Sequence, residues 1–401
     1  MSARESAQPD PRPKTSRPMS IGEVRPERVA LVHDWLVTMR GGERVLDALC
    51  ELFPQATLHT LVREPGIATP RIEAMKHVSS LAGRLPGASK KHRWLLPLYP
   101  SAIEALDISE FDLVVSSSHC VAKGVIPSPG AVHVCYCHTP VRYAWDRTED
   151  YLRGSSTLLQ LARPAIGAAA SWLRHWDLRT SGRVDLYVAN SGNTANKIKQ
   201  FYGRDALVVP PPADCTQFTP DLAPPLDHER YDLVLGGMVP YKRVDLAVAA
   251  YALMPERKLV IVGDGPERQR LQRSAPANVT FAGRAPEDQL ANWYRGANFL
   301  VFPGEEDAGI VPVEAQAAGI AVVAFGRGGA LETVVDGETG VFFEEPTAES
   351  LAAAVRRLAA LKVDPAACRH NAERFDRPAF LQHMRDAINT ALAQRGSAQT
   401  L

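Results

Sequence analysis

Asn298-Phe-Leu-Val-Phe-Pro-Gly-Glu-Glu-Asp-Ala-Gly-Ile-Val-Pro-Val-Glu-Ala-Gln-Ala-Ala318 is the stretch that decides the fold. After Asn298 it opens on a continuous apolar run ending at Phe302, the pattern of a strand covered on both faces. Pro303-Gly304 closes the strand, and Glu305-Glu-Asp-Ala-Gly309 forms a loop. A helix is expected to begin near Val311, with Pro312 in its first turn, where a missing N–H is harmless. Strand, short loop and helix in this order are half of a β-α-β unit. The helix start offers free N–H groups and a positive dipole end, which suits a diphosphate. Glu306 falls in the loop and Glu314 in the first helical turn. Each carboxylate can accept two hydroxyl hydrogen bonds, such as a sugar and a ribose present.

Outward from this stretch, the same alternation covers the chain. Strands are expected at Val29–His33, Phe111–Ser116, Ala131–Cys137 and Val184–Asn190, and again at Tyr231–Gly236, Lys258–Gly263, Val279–Ala282, Asn298–Phe302 and Ala321–Phe325. Helices intervene, for example Arg243–Met254 and Ser350–Leu361. This predicts an α/β protein with parallel sheets. Pro210-Pro-Pro212, Pro220, Pro224 and Pro225 interrupt the pattern before Tyr231. The expected organisation is a disordered tail at 1–27, a first domain at 28–211, a linker at 212–230, a second domain at 231–375 and a final helix within 376–395. Ligands of open parallel sheets sit beyond the carboxyl ends of the strands. Chemistry is therefore expected in the strand-end loops.

The segment Glu306-Asp-Ala-Gly-Ile-Val-Pro-Val-Glu314, followed by Ala315-Gln-Ala-Ala-Gly319, resembles the signature of the retaining group 1 glycosyltransferases of family 4. The resemblance implies a GT-B fold, two Rossmann-like domains facing each other across a cleft. It places a transferred hexose on Glu306 and a nucleotide ribose on Glu314, with Gly309, Ile310 and Val311 at the diphosphate. Ala308 stands where the family usually has an aromatic. Gly236-Gly-Met-Val-Pro-Tyr-Lys-Arg-Val-Asp245 resembles the family's diphosphate segment, so Lys242 takes the leaving group, helped by Arg243. Gly237 occupies a position where that family often has Arg. Gly41 and Gly42 match a Gly-Gly loop that faces donor phosphates. His138-Thr-Pro-Val-Arg-Tyr-Ala-Trp-Asp146 looks like the corresponding segment of mannosyltransferases that build surface polysaccharides, which puts His138 near the anomeric centre and makes Arg142 a site candidate. Arg284, after Phe281-Ala-Gly283, resembles the loop that meets the base. Gly263-Asp-Gly-Pro266 and Gly326-Arg-Gly-Gly329 read equally as plain turns or as donor contacts, and Asn190-Ser191 reads as packing or capping.

These residues imply a hexosyltransferase using a nucleotide-sugar donor, GDP-mannose by resemblance, and a glycan or polyprenyl-linked acceptor. A UDP-sugar donor and a nucleotide-sugar 2-epimerase of the same fold are the alternatives. No cofactor is implied, and no Asp-x-Asp in a metal context appears, so no obligatory metal is expected. The 45 basic and 45 acidic residues balance, which gives no footprint for nucleic acid. The absence of Gly-x-Gly-x-x-Gly after the first strand disfavours a nicotinamide dehydrogenase. The polar, proline-bearing first residues lack the apolar centre of a secretory signal. The six cysteines lack framework spacing, which fits a reducing cytoplasmic compartment. Arg84–Pro97 and Ser171–Trp176 mix basic and aromatic residues, as a peripheral contact with an anionic membrane would, at the inner face of the plasma membrane.

Overall fold

The computed structural model describes residues 26–142, 144–145, 163–219 and 230–399. Most of the expected tail, Tyr143 and Asp146, and positions 220–229 of the expected linker lie outside the described residues.

Two parallel sheets form the molecule. The first runs β3-β2-β1-β4-β5-β6-β7, with β1 Val29–Leu36, β2 Thr57–Arg63, β3 Lys76–Ser79, β4 Leu113–Ser118, β5 Val132–Cys137, β6 Leu186–Ala189 and β7 Ala206–Val208. The second runs β10-β9-β8-β11-β12-β13, with β8 Tyr231–Leu235, β9 Leu259–Val262, β10 Val279–Gly283, β11 Ala297–Phe302, β12 Ala321–Phe325 and β13 Gly340–Phe343. Both are doubly wound α/β sheets. In each, the strand order reverses once, between β1 and β4 and between β8 and β11.

The continuous apolar runs are the central strands, as a sheet covered by helices on both faces requires. Leu31, Leu113, Val115 and Val134 enter one core under the first sheet, and Ala30, Val32 and Val114 enter another on its opposite face. Strands β2, β3, β7 and β13 had no strong signal; β2 carries Thr57, His59 and Thr60, and β3 and β7 are edge strands of four and three residues. Strand β4 lies two residues later than expected, because Phe111 and Asp112 precede the ladder. The helix expected from Ser350 starts at Ala348, because Thr347 caps it by accepting the Ser350 N–H at 3.2 Å. The helix expected from Arg243 starts at Val244: Arg243 has φ 51°, a left-handed conformation that ends the preceding turn.

The helix Arg377–Gln399 returns to the first domain. Phe380, Met384, Ala387, Ile388 and Ala391 make an apolar stripe at helical spacing that enters the core with Leu31, Leu49 and Tyr136. Arg377 fixes its start, with ion pairs to Asp47 at 2.6 Å and Glu51 at 2.7 Å on the helix Gly41–Leu52. Beside it, Ala213 N–H donates to Phe375 O at 2.8 Å, so two crossings of the chain between domains run side by side. No described helix is long and apolar enough to cross a membrane.

Candidate active site

The switch point of the second sheet brings two distant segments together. The chain leaves β8 through Gly236 and reaches Lys242; it leaves β11 through Gly304 and reaches Glu306. Gly304 makes this possible, since a Cβ there would lie 2.6 Å from Lys242 Cα. Lys242 Nζ then pairs with Glu306 Oε1 at 2.8 Å. Burial opposes the charge on Lys242, but Glu306 and Tyr241 outweigh it and raise its pKa. The Glu306 loop is clamped from behind: Gly329 N–H donates to Glu306 O at 2.8 Å, and a Cβ on Gly329 would lie 2.6 Å from Ala308 Cα.

Beyond the loop, the helix Ile310–Ala317 is preceded by Gly309 at φ 67°. It begins one residue earlier than expected, so Glu314 falls in the second turn rather than the first. Pro312 removes one N–H from the first turn and leaves those of Ile310 and Val311 without an intrahelical partner. Glu314 is buried; its Oε2 accepts the Tyr294 hydroxyl at 2.7 Å, and Arg44 reaches its Oε1 from the first domain. Arg44 also pairs with Glu287 at 2.8 Å.

The first sheet places a different chemistry at its own switch point. The register sets His33 of β1 beside Ser117 of β4, and His138 follows β5. Ser117 Oγ lies 3.1 Å from His33 Nδ1 and 2.9 Å from His138 Nε2. Burial, with His119, His33 and Arg142 nearby, pushes the His138 pKa well below the ordinary imidazole value, so the ring is neutral. Gly42 lies against it: a Cβ there would be 3.7 Å from His138 Nε2. Asp34 Oδ2 accepts the N–H groups of His119 and Cys120, and Oδ1 those of Val121 and Ala122, at 2.7–2.9 Å, which fixes the β4 loop beside the cluster.

Residues 224–375 match the family of glycosyl transferases group 1, and residues 39–217 match Glycosyltransferase Family 4. The chain belongs to the group 1 glycosyltransferases. A GDP-mannose-dependent alpha-(1-6)-phosphatidylinositol monomannoside mannosyltransferase of Mycolicibacterium smegmatis is 31% identical over 209 residues, which are 45% of this chain and 55% of that protein. The chain thus spans about half the length of the curated relatives it matches. Sucrose-phosphate synthase from Thermosynechococcus elongatus superposes with a TM-score of 0.67 at 20% identity, covering 92% of this chain and 99% of that one. Anabaena HepE in complex with UDP-glucose superposes with a TM-score of 0.66 at 16% identity, covering 90% and 99%. These neighbours show the GT-B fold.

In this group 1 glycosyltransferase the two walls are tied together across the cleft. Asp307 accepts from Arg142, from Lys197 Nζ at 2.8 Å and from Asn193 Nδ2 at 3.0 Å. Burial alone would push the Asp307 carboxyl up, but Arg142 and Lys197 pull it below its ordinary value. Glu332 accepts from Gly192 N–H at 2.8 Å and Asn193 N–H at 3.2 Å, at the start of the helix Gly192–Tyr202. Arg142 stands 5.6 Å from the Tyr241 ring and adds its charge to those around Lys242 and Glu306. A narrow pocket lies between the walls, lined by Asn190, Ser191, Ala308, Gly309 and Ile310 among others.

The structure thus brings Lys242, Glu306, Glu314, Gly309, Ile310, Val311, Gly42, His138 and Arg142 to one cleft. It does not join Arg243 or Arg284 to it. Arg243 pairs with Asp245 at 3.2 Å within its own turn, and Arg284 is exposed beyond β10. Gly41 opens the helix Gly41–Leu52, with nothing near its missing Cβ. Ser191 caps its helix by accepting Thr194 N–H at 3.0 Å. Asp307, Arg44, Ser117 and His33 also stand at this cleft, beyond the residues expected from the sequence. Asp307 and Arg44 lie next to or near expected residues, and a charge close to a ligand loop was their signal. Ser117 had none, since only the β1–β4 register reveals it. All six cysteines are buried and free. Among the described residues, no group of three or more His, Cys, Asp or Glu is placed to hold a metal.

Proposed function

We propose that this protein transfers a hexose, mannose from GDP-mannose as the best reading, to a glycan or polyprenyl-linked acceptor in surface polysaccharide synthesis, with retention at the anomeric carbon. The observation that carries it is the Lys242–Glu306 pair, held at 2.8 Å at the switch point of the second sheet beside the free amides of Ile310 and Val311. A nucleoside diphosphate sugar fits this arrangement. Its diphosphate lies on Lys242 and the helix amides, Glu314 takes the ribose, and Glu306 and His138 take the hexose. The acceptor hydroxyl attacks the anomeric carbon, the bond to the diphosphate breaks, and the acceptor's proton passes to the departing phosphate oxygen. Lys242 and the amides stabilise the charge that develops there. The relative from M. smegmatis, which its name describes as GDP-mannose-dependent, supports the choice of donor.

No metal takes part in this scheme, so turnover is expected to persist in chelator. The membrane reading draws on β3 to Ile103, where Arg84, Lys90, Lys91 and Arg93 occur without an acid between Lys76 and Ile103. Leu81 is 74% and Trp94 84% exposed there. Trp172 is 50% exposed, whereas Trp176 is buried against Gly124 and donates to Glu104 at 3.0 Å, so only the first of that pair is free to meet a membrane. These exposed residues support the reading of a peripheral contact at the inner face of the plasma membrane.

The test incubates the protein with GDP-mannose and with UDP-hexoses, with and without a polyprenyl-linked acceptor. Acceptor-dependent release of GDP and an α-linked product by NMR are expected. Acceptor-independent formation of a new sugar nucleotide would make the protein an epimerase. Release from UDP-sugars alone would replace the donor. Failure to sediment with anionic liposomes at low salt would remove the membrane from the scheme.

A further inference from the structure

Within the neutral wall one polar atom has no partner. His33 Nε2 is fully buried and makes no hydrogen bond, and Glu43 Oε1 lies 4.0 Å from it. Glu43 is held in place through its other oxygen, which accepts Arg40 N–H at 2.9 Å. Its carboxyl is kept below its ordinary value: burial opposes the charge, and His33 and His119 outweigh that opposition. On the far side of the ring, Ser117 bridges His33 Nδ1 and His138 Nε2.

A hydroxyl has one proton to donate. If Ser117 donates to His138 Nε2, it accepts from His33 Nδ1–H, and both rings carry their proton on Nδ1. His33 Nε2 would then turn a lone pair toward the Glu43 carboxylate, two acceptors facing each other in a buried place. If Ser117 donates to His33 Nδ1 instead, both rings carry their proton on Nε2. His33 N–H then points at the carboxylate, and His138 Nε2–H donates to Ser117. Of these two neutral arrangements only the second is favourable on both sides of His33, since only there does an N–H face the carboxylate.

We propose that Glu43, His33 and Ser117 form a chain that fixes His138 as its Nε2–H tautomer, leaving the Nδ1 lone pair to accept a hydrogen bond from a hydroxyl of the donor hexose. Glu43, His33 and Ser117 are positioning residues in this scheme. His138 Nδ1 makes no hydrogen bond to a described residue, on a ring that is half-buried at the cleft. The charged and titratable neighbours of the chain are His119, paired with Asp34 at 3.2 Å, Arg142, paired with Asp307, and Tyr136, whose hydroxyl donates to Val209 O at 2.9 Å; none bonds to a ring of the chain. The role given to the lone pair rests on the reading of His138 as a hexose contact.

The full-length protein labelled with nitrogen-15 histidine tests the chain without any substrate. A long-range proton–nitrogen correlation spectrum at mildly alkaline pH separates the two neutral tautomers, and His138→Gln and His33→Gln assign the signals. Both rings are expected as Nε2–H. A Nδ1–H tautomer at His138 in the wild type overturns the proposal, whatever the enzyme's donor proves to be. In Ser117→Ala the single tautomer of His138 is expected to be lost and kcat to fall roughly tenfold, the loss of one neutral hydrogen bond, while affinity for GDP holds. Ser117→Thr keeps the hydroxyl and restores both. An alanine variant that keeps His138 in one tautomer also overturns the chain. A wild type inactive with every donor would end the hexose reading and leave the tautomer result standing.

Discussion

At the switch point of the second sheet the chemistry is ionic: Lys242 pairs with Glu306, while Glu314 and Asp307 take Arg44, Arg142 and Lys197 across the cleft from the first domain. At the switch point of the first sheet it is a neutral imidazole and a hydroxyl, His138 on Ser117, backed by a carboxylate one ring away. The strand order around the two switch points is the same, yet the walls suit opposite parts of one substrate. A diphosphate needs cations and free amides, whereas a hexose is uncharged and is held by hydrogen bonds. The difference also separates how each wall should respond to substitution. Under the proposed function the ionic wall acts on charge developing in the transition state, and its loss should be felt mainly in rate.

The largest expected effect follows from that. Lys242→Ala and Glu306→Ala should each lower kcat roughly 10²–10³-fold, the scale of a lost electrostatic contact at a departing anion. Both side chains keep some contact with solvent, so the survivor can hydrate and the fold should hold. Steady-state kinetics beside a thermal melt check this. Near-normal turnover in either variant would mean that the ionic wall does not carry the chemistry.

Acid should break the symmetry of the two domains next. His133 in β5 is fully buried between Ser116 Oγ at 2.8 Å and Arg183 O at 3.0 Å, and burial lowers its pKa from 6.5 to about 4. His59, His119 and His138 are lowered for the same reason. For such a group, folded and unfolded chains are both neutral above pH 6.5, and no stability depends on it there. As pH falls below 6.5 the unfolded chain takes up the proton first, so stability is lost down to the folded pKa. His133 alone contributes a loss of about 3 kcal/mol by pH 4. The described histidines beyond β8, His370 and His383, are exposed. Hydrogen-exchange protection should therefore fall in β4 and β5 between about pH 6.5 and 4, with β11 and β12 following later. Equal loss in both sheets would refute the asymmetry.

The two walls were also unequally legible. Lys242 and Glu306 stand in the connections that follow apolar strands, and Glu314 lies in the helix after the second of them, so all three could be read as linear spacing. The neutral wall depends on which strands lie side by side. Nothing local says that β1 pairs with β4, and so nothing local joins His33 to Ser117. The alternation of strands and helices was clear wherever a strand is buried on both faces. It failed at β2, whose Thr57, His59 and Thr60 break the apolar run, and at the short edge strands. Arg243, expected to help Lys242, instead pairs with Asp245 within its own left-handed turn.

A smaller effect separates binding from rate within the ionic wall. Glu314→Ala leaves the Arg44 guanidinium and the Tyr294 hydroxyl short of a partner, which should destabilise the protein by about 2 kcal/mol. Arg44 retains Glu287, which limits the loss. The donor KM should rise more than kcat falls, because a ribose contact is the same in ground and transition states. If kcat carries the whole defect, Glu314 acts at the reacting carbon and the division of labour with Glu306 is wrong.

The smallest expected change in stability, about 1–2 kcal/mol, is at Asp307→Asn, and it tests whether the walls are held closed from within. Asp307 is buried, but Arg142 and Lys197 are each partly open to solvent. Once the carboxylate is neutral, the two cations can recover hydration if the domains part, without either domain unfolding. Opening would also release Glu332 from the amides of Gly192 and Asn193, which are its contacts across the same gap. The melting temperature should fall by only a few degrees. The radius of gyration from small-angle scattering should rise, and a nucleoside diphosphate should reverse the rise by supplying anionic charge to the cleft. A variant as compact as the wild type would place the closure elsewhere, in the Arg377–Gln399 helix that ties the second domain to Asp47 and Glu51 of the first.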